Sequence, residues 1–406
     1  MRKLFRSTVM KRALCTLFFI FIYVLGANVT LPFVNLQQGL QLGDATNTLQ
    51  LSSALTGGNL RGMTIFSIGL SPWMSSMLLW RMFSVSKRFS QDRVPTEILE
   101  RRKMYLTLAI AAVQALAVAL YLPYQTSSFS TIFLILLNTV ILIAGAFLLV
   151  WLADLNSSMG IGSSTVIMLA SMVLYMPTDI ATALNELNLS INWLWIIAFS
   201  SLFFLYIAII FEKSKYRIPI NRLGIHNDFE TYSYLDIKLN PAGGMPIMYA
   251  MTLVSLPQYV LLLLAWLLPG QAWPTEWATQ LRMGSLPWLL LYIFVIFLLG
   301  IAFAFINVNG DEISEKMEKS GEYIDKVYPG APTRRYINRI VSRFALIGSF
   351  YLLVFAAGPM IPVLWDMLLL RLAMVPGMFM IFMGMVFTMQ DEIKALKVNE
   401  NYKTLF

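Results

Sequence analysis

The sequence predicts an all-α polytopic membrane protein of about ten transmembrane helices in two inverted five-helix halves. Of its 406 residues, 58% are apolar and 13% are charged, whereas soluble domains carry roughly 25% charged residues. About ten segments stay apolar over the roughly 20 residues that cross a bilayer. Lys and Arg gather in every second connection, as in loops on the cytoplasmic side of a membrane.

The predicted spans follow one another through the whole chain. They are expected near residues 13–33, 63–83, 104–122, 131–153, 163–180, 192–211, 245–268, 286–306, 340–360 and 367–388. Because further spans follow, we interpret the basic first residues and the first apolar stretch as an uncleaved helix rather than a signal peptide. Counting five spans in each half divides the chain into an N-terminal half, 1–180, and an inverted C-terminal half, 181–406.

The stretch between the first two spans is unusual for a membrane protein. Residues 44–62 are small, polar and rich in glycine, and they lead into a span, 63–83, that contains Pro72. Irregular backbone at membrane depth is tolerated only where protein buries it or where it lines an aqueous cavity. The stretch therefore suggests a cavity with a segment folded into it. An ordinary external loop followed by a proline-kinked span would explain the same pattern equally well.

The basic residues also predict the orientation of the chain. The side opposite the basic connections carries only Arg61, Arg282 and Arg371, so both termini are expected in the cytoplasm. The two long connections, 212–241 and 307–339, then lie on the cytoplasmic side. The first favours a strand hairpin with turn residues Gly224 and Asn227, and the second a charged helix over Glu312–Lys319 that ends at Gly321. Solvated loops would account for their charges, but their size suggests a docking surface.

Several kinds of chemistry are missing from the sequence. Cys15 and His226 are the only residues of their types, which excludes a disulfide framework and a His/Cys metal cluster, and we expect no catalytic residues, no metal and no cofactor. The predicted spans hold almost no ionisable residues at mid-membrane, unlike those of ion-driven transporters. Energy for vectorial work would therefore come from a partner such as an ATPase.

Five stretches, in order along the chain, resemble one known family. They are Ser67–Leu79, Arg101–Gln114, Trp151–Ile167, Leu239–Ala250 and Asn307–Leu346. The family is SecY, the channel subunit of the bacterial protein translocase. The stretch LNPAGGMPIMYA at Leu239–Ala250 closely matches the start of its seventh span.

This resemblance implies that the two halves surround a central pore and that about residues 47–62 form a re-entrant plug segment. It also implies three groups of functional residues. Bulky apolar side chains would close the pore as a ring: Leu70, Met74, Leu169, Val173, Met248 and Ile381. A lateral gate, through which signal sequences reach lipid, would include Ser75, Gln114 and Leu256. A motor ATPase of the SecA type would dock on Arg217, Arg222, Tyr328, Arg334 and Arg335.

Departures from the family pattern indicate a subgroup. Tyr328 stands where the family's motor loop usually has Arg, the ring contains two Met where Ile is usual, and the chain is short. These features resemble the accessory SecY paralogues of streptococcal and staphylococcal accessory Sec systems. That resemblance implies an accessory SecA as motor, together with small subunits that are SecE-like, SecG-like or specific to the accessory system. It also implies contact with membrane lipid and none with nucleic acid. The exported preproteins would be serine-rich glycoprotein adhesins, which cross the plasma membrane.

Other classes of protein explain less of the sequence. A secondary transporter with inverted repeats is the main alternative, and it would need substrate-coordinating charges at mid-membrane. A membrane-embedded enzyme would need a paired nucleophile and base. An insertase of a different fold would have fewer spans and an Arg inside a groove.

Overall fold

The computed structural model describes residues 8–35, 49, 53, 55–60, 62–84, 95–125, 129–186, 191–222 and 234–402. The chain divides into two compact units. The first comprises Met1–Asn185, Met251–Leu289 and Met385–Phe406, and the second comprises Glu186–Ala250 and Leu290–Gly384. The division into sequence halves at residue 180 stays a prediction.

The described residues are mostly helical, as predicted. The helices in the first half of the chain are α1 Thr8–Ala27, α2 Ser71–Ser84, α3 Thr96–Leu120, α4 Thr131–Met159, α5 Thr165–Glu186 and α6 Ile191–Lys213. Those that follow are α7 Met245–Leu267, α8 Trp273–Gln280, α9 Leu286–Asn307, α10 Gly310–Ser320, α11 Ala331–Ala356, α12 Leu370–Ala373 and α13 Val375–Tyr402. Eight helices in the described ranges are long and apolar enough to cross a membrane.

The second predicted span is shorter than expected. Residues 62–70 form turns and an isolated bridge, and α2 begins only at Ser71, so Pro72 lies in the first turn of the helix. Proline is tolerated there because its missing N–H would have no helical partner. The alternative of one long, proline-kinked helix is therefore wrong. The described part of α2 has 14 residues and is about 21 Å long.

Small residues allow the helices of the first unit to pack closely. Helix α3 contacts both α2 and α4, and α1 contacts α4. Ala111, Ala115, Ala117 and Ala119 of α3 are all fully buried. A Cβ atom at Gly145 of α4 would collide with the carbonyl oxygen of Ile65. Helices in lipid associate through such close backbone approach, because apolar burial alone does not favour protein over lipid.

The second unit carries a small sheet that joins the two long connections. Strand β1 (Lys215–Arg222) pairs antiparallel with β2 (Tyr234–Lys238) and with β3 (Glu322–Ile324), in the order β2-β1-β3. The predicted hairpin is confirmed, although Gly224 and Asn227 lie outside the described residues. The charged helix is confirmed as α10, which ends at Gly321 with φ 69°. The pairing of β1 with β3 was not predicted.

Aromatic residues and glycines pack around α11 in the same unit. Phe211 at the end of α6 stacks on Tyr351 with ring centroids 4.2 Å apart. Gly300 of α9 faces Ser349, where a Cβ atom would lie only 2.5 Å from the serine hydroxyl. Helices α6 and α9 therefore both lie against α11.

Candidate functional site

The described part of the predicted plug is buried protein rather than an external loop. Leu49, Ser53, Leu55, Thr56 and Leu60 are each at most 2% exposed. Leu49 and Leu60 belong to an apolar cluster with residues of α3, α4 and α7. The other positions of the predicted plug, 47, 48, 50–52, 54 and 61, lie outside the described residues. The sequence pattern of a segment folded into the molecule thus agrees with the burial of the described positions.

Hydrogen bonds tie this segment to the turns before α2. The Ser53 hydroxyl donates to the Ser67 carbonyl over 2.7 Å and accepts from the backbone N–H of Leu60 over 3.2 Å. The backbone N–H of Leu70 donates to the Thr56 carbonyl over 2.8 Å. The segment is therefore bonded directly to the backbone of a predicted ring residue.

Two glycines allow the two stretches of backbone to approach. Gly57 has φ +85° and Gly69 has φ +66°, which side-chain-bearing residues rarely adopt. A Cβ atom at Gly69 would lie 2.6 Å from the nitrogen of Gly58 and 2.9 Å from the oxygen of Thr56. Close contact at this point requires glycine.

Tyr23 of α1 is a contact that sequence reasoning missed. Its side chain is fully buried, its hydroxyl donates to the Gly57 carbonyl over 3.0 Å, and its ring stacks parallel on Phe66 with centroids 6.0 Å apart. A tyrosine in an apolar span usually finds a partner for its hydroxyl. No motif in the sequence indicates that this partner lies 34 positions away.

The predicted ring residues have different exposures within each unit. In the first unit, Leu70 and Met74 are buried, Leu169 is half-buried and Val173 is 53% exposed. In the second unit, Met248 and Ile381 are buried. A Cβ atom at Gly244, one turn before Met248, would lie 3.3 Å from the Cα of Ile381. The structure thus brings Leu70 close to Met74, and the Met248 region close to Ile381.

The predicted gate residues lie among weakly bonded polar groups. Ser75 and Gln114 are buried and Leu256 is half-buried. The Gln114 amide donates to the Ser71 hydroxyl over 3.3 Å, but its oxygen and the Ser75 hydroxyl have no hydrogen-bond partner among the described residues. Ser76 and Thr107 share a further hydrogen bond of 2.6 Å between α2 and α3.

Tyr121, just after α3, forms a hydrogen bond to α7 that sequence reasoning also missed. Its hydroxyl donates to the carbonyl oxygen of Leu262 over 3.2 Å. The neighbouring Tyr124, which also follows α3, donates instead to the carbonyl oxygen of Ala119 near the end of α3 over 2.7 Å. Tyr121 therefore ties two predicted gate helices together, and Tyr124 does not.

The predicted docking residues surround the three-stranded sheet. Arg217 lies 3.7 Å from an Asp236 carboxylate oxygen and 4.5 Å from the ring centroid of Tyr234. Tyr328 is 82% exposed, Arg335 is exposed, and Arg334 forms an ion pair of 2.5 Å with Asp311. The backbone of Arg222 pairs with that of Glu322, so the two connections form one surface. In the described part of the chain, no group of acidic, His and Cys side chains could hold a metal ion.

These features define a class of protein: a polytopic helical membrane protein in which a buried polar segment bonds to the turn before a helix that begins with Ser71 and Pro72. A model of the SecY family matches residues 64–390. The accessory Sec system protein translocase subunit SecY2 of Streptococcus sanguinis SK36 is 53% identical over 408 residues, covering all of both chains.

Two solved structures share the fold at 13% sequence identity, each covering 97% of this chain and 93% of the other. One is a protein-conducting channel, with a TM-score of 0.70. The other, with a TM-score of 0.69, is a SecY protein whose plug domain stabilises the closed state of the translocation channel and maintains a membrane seal.

The chain belongs to the SecY family. The family consists of protein-conducting channels and not of enzymes, so the expectation of a non-enzymatic membrane protein is confirmed. The same finding sets aside the secondary transporter.

Proposed function

We propose that this chain is the channel subunit of an accessory Sec translocase in a bacterial plasma membrane, with both termini in the cytoplasm. The observation that carries the proposal is the full-length similarity to the S. sanguinis SecY2 subunit. It is supported by the buried segment that bonds to Leu70 at the start of α2. Its cargo is secreted preproteins, with serine-rich glycoprotein adhesins as the expected class.

The pore closes by apolar contact in this proposal. Six side chains form the ring: Leu70, Met74, Leu169, Val173, Met248 and Ile381. Apolar constrictions exclude ions by dewetting. Methionine is flexible and fits irregular surfaces, so Met74 and Met248 let the ring adapt to chains of varied shape.

The plug, about residues 47–62, seals the external side of the ring. Its described hydrogen bonds, from Tyr23 to Gly57, from Ser53 to Ser67 and from Leu70 to Thr56, each contribute about 1 kcal/mol net. A few bonds of this size hold the plug at rest, and an arriving polypeptide can displace it.

The lateral gate opens between α2 and α3 on one side and α7 and α9 on the other. Ser75, Gln114 and Leu256 belong to it in this proposal. Neutral hydrogen bonds between membrane helices average about 0.6 kcal/mol, so the bond from Tyr121 to Leu262 is weak enough for an apolar signal helix to replace. The polar atoms of Ser75 and Gln114 that lack described partners add little to the closed state.

A SecA-type ATPase supplies the energy. It docks on the surface formed by β1, β2, β3 and the start of α11, which presents Arg217, Arg222, Tyr328, Arg334 and Arg335. Small SecE-like or SecG-like or accessory subunits complete the translocase.

Crosslinking of a stalled preprotein tests the channel assignment. Changing Cys15 to Ser removes the one thiol of the chain, so single cysteines at Met74, Met248 and Phe133 report without background. Phe133 of α4 is 50% exposed and serves as the lipid-facing control. We expect disulfides between the preprotein and positions 74 and 248, with none at 133. Failure at both ring positions with a confirmed stalled substrate would overturn the proposal.

Removing the Tyr121 hydroxyl tests the gate. In Y121F the α3–α7 bond is lost, and we expect preproteins with a shortened apolar signal segment to be transported about threefold faster. The measurement is the initial rate of transport into proteoliposomes. Y124F is the matched control, because Tyr124 bonds back to the end of α3 and not to α7. Equal rates in Y121F, Y124F and the parent would remove Tyr121 from the gate.

A further inference from the structure

A cavity of 370 Å³ lies beside the N-terminal turns of α11, outside the ring, gate and docking residues. Cationic and aromatic side chains, with one isoleucine, line it: Tyr216, Tyr336, Arg339, Ile340, Arg343 and Phe344. Among the described residues, no carboxylate lines the cavity. All of these residues belong to the second unit.

The two arginines of this pocket differ from the cations around them. Arg339 and Arg343 are four residues apart and therefore share one face of α11. Lys215 and Arg217 face Asp236 at 3.2 and 3.7 Å, whereas neither pocket arginine has an acidic partner among the described residues. The described residues thus give the pocket two positive charges without a counter-charge. The planar guanidinium fork suits phosphate oxygens in particular.

The pocket lies where the apolar parts of two helices end. Between Phe344 and Ala356, α11 has no charged residue. Tyr216, three residues beyond the end of α6, packs edge-on against Phe344 with centroids 5.6 Å apart. Phe211 of α6 stacks on Tyr351 within the apolar part of α11. The contact between Tyr216 and Phe344 follows it at the end of that apolar part, so the pocket lies nearer to water than the Phe211–Tyr351 contact. Tyrosine is enriched at this level of a membrane.

An exposed apolar stripe continues from the pocket along α11. Leu346, Ile347, Phe350 and Val354 are 51%, 47%, 66% and 49% exposed. Counted from Arg343, these positions recur with the helical spacing of three or four residues, so the stripe lies on the same face of α11 as Arg343. A soluble phosphate would leave this stripe uncovered, whereas the acyl chains of a lipid would lie along it.

We propose that this pocket binds the phosphodiester headgroup of an anionic phospholipid such as phosphatidylglycerol. Arg339 and Arg343 bind the phosphate oxygens, the tyrosine hydroxyls donate to the remaining oxygens, and the acyl chains follow the apolar stripe. Basic pockets at the cytoplasmic membrane surface recognise lipid headgroups in this way. The proposal does not rest on the proposed function, because it concerns the lipid around the protein and not the polypeptide that crosses it.

Native mass spectrometry of the full-length protein in neutral detergent tests the site, with phosphatidylglycerol as the probe and phosphatidylcholine as the uncharged comparison. A cation near a membrane surface contributes about fivefold in affinity. We therefore expect R343Q to bind phosphatidylglycerol about fivefold more weakly, and R339Q/R343Q about 25-fold more weakly. R335Q, an exposed arginine of the same helix outside the pocket, should stay within twofold of the parent.

Several results would overturn the proposal. Unchanged phosphatidylglycerol binding by the double variant would do so, as would equal binding of phosphatidylcholine. Displacement of the lipid by millimolar glycerol phosphate would assign the pocket to a soluble phosphate, and displacement by a decaglutamate peptide would assign it to an acidic protein. Thermal unfolding checks the fold of each variant. R343K, which keeps the charge but not the fork, should bind with an affinity between those of R343Q and the parent.

Discussion

Replacing Gly69 with alanine should make the resting channel conduct ions. Gly69 has φ +66°, and a Cβ atom there would lie 2.6 Å from the Gly58 nitrogen and 2.9 Å from the Thr56 oxygen. The left-handed conformation costs a non-glycine residue about 1–2 kcal/mol. The steric overlap adds to that cost, because both neighbours are backbone atoms, which cannot rotate away as a side chain can. The strain therefore exceeds the roughly 1 kcal/mol that a single hydrogen bond of the buried segment contributes.

The expected result is a rise of about tenfold or more in the time that single channels spend open, measured in planar bilayers without preprotein. Gly270 is a matched control, because a Cβ atom there has no neighbour within 4 Å and its φ is not in the left-handed range. G270A should conduct no more than the parent. If G69A and G270A both stay closed, the buried segment is not what seals the pore.

Reversing two charges on the surface around the three-stranded sheet should strongly weaken binding of the proposed motor. Arg217 is an exposed cation of β1, and Arg335 is an exposed cation near the start of α11. The pairing of β1 with β3 places the two long connections in one surface. Like charges placed against a partner's complementary patch cost several kcal/mol. We expect R217E/R335E to weaken the affinity of a SecA-type ATPase by about 100-fold at low salt, with a smaller difference as salt screens the charges.

The affinity is measured by equilibrium binding of the fluorescent ATPase to proteoliposomes. Lys394 is a suitable control, since it is an exposed cation of α13 paired with Asp391 and lies outside this surface. K394E should bind the motor within twofold of the parent. Equal losses in both variants would indicate non-specific attraction of the motor to a basic face. No loss in R217E/R335E would place the docking site elsewhere.

The sequence predicted the helical elements well because each apolar span is a local property. The approximate positions of the apolar helices, the charges between them and the end of α10 at Gly321 can be read from short windows of sequence. The start of α2 was the exception. The apolar stretch 63–83 contains Pro72, and its sequence does not show whether this proline kinks a long helix or begins a shorter one. The hydrogen bond from Leu70 to Thr56, which completes the turns before the helix, decides between them.

The sequence by itself determined the class of protein, the positions of its spans and the resemblance that marks a SecY chain, because hydropathy and motifs are carried by neighbouring residues. Only the tertiary structure showed that Tyr23 bonds to Gly57, that Tyr121 bonds to Leu262, and that β3 joins the β1–β2 hairpin. Each of these contacts joins residues far apart in the chain. A tyrosine hydroxyl or a strand edge accepts many partners, so the pairing follows from packing and not from the identity of the residue.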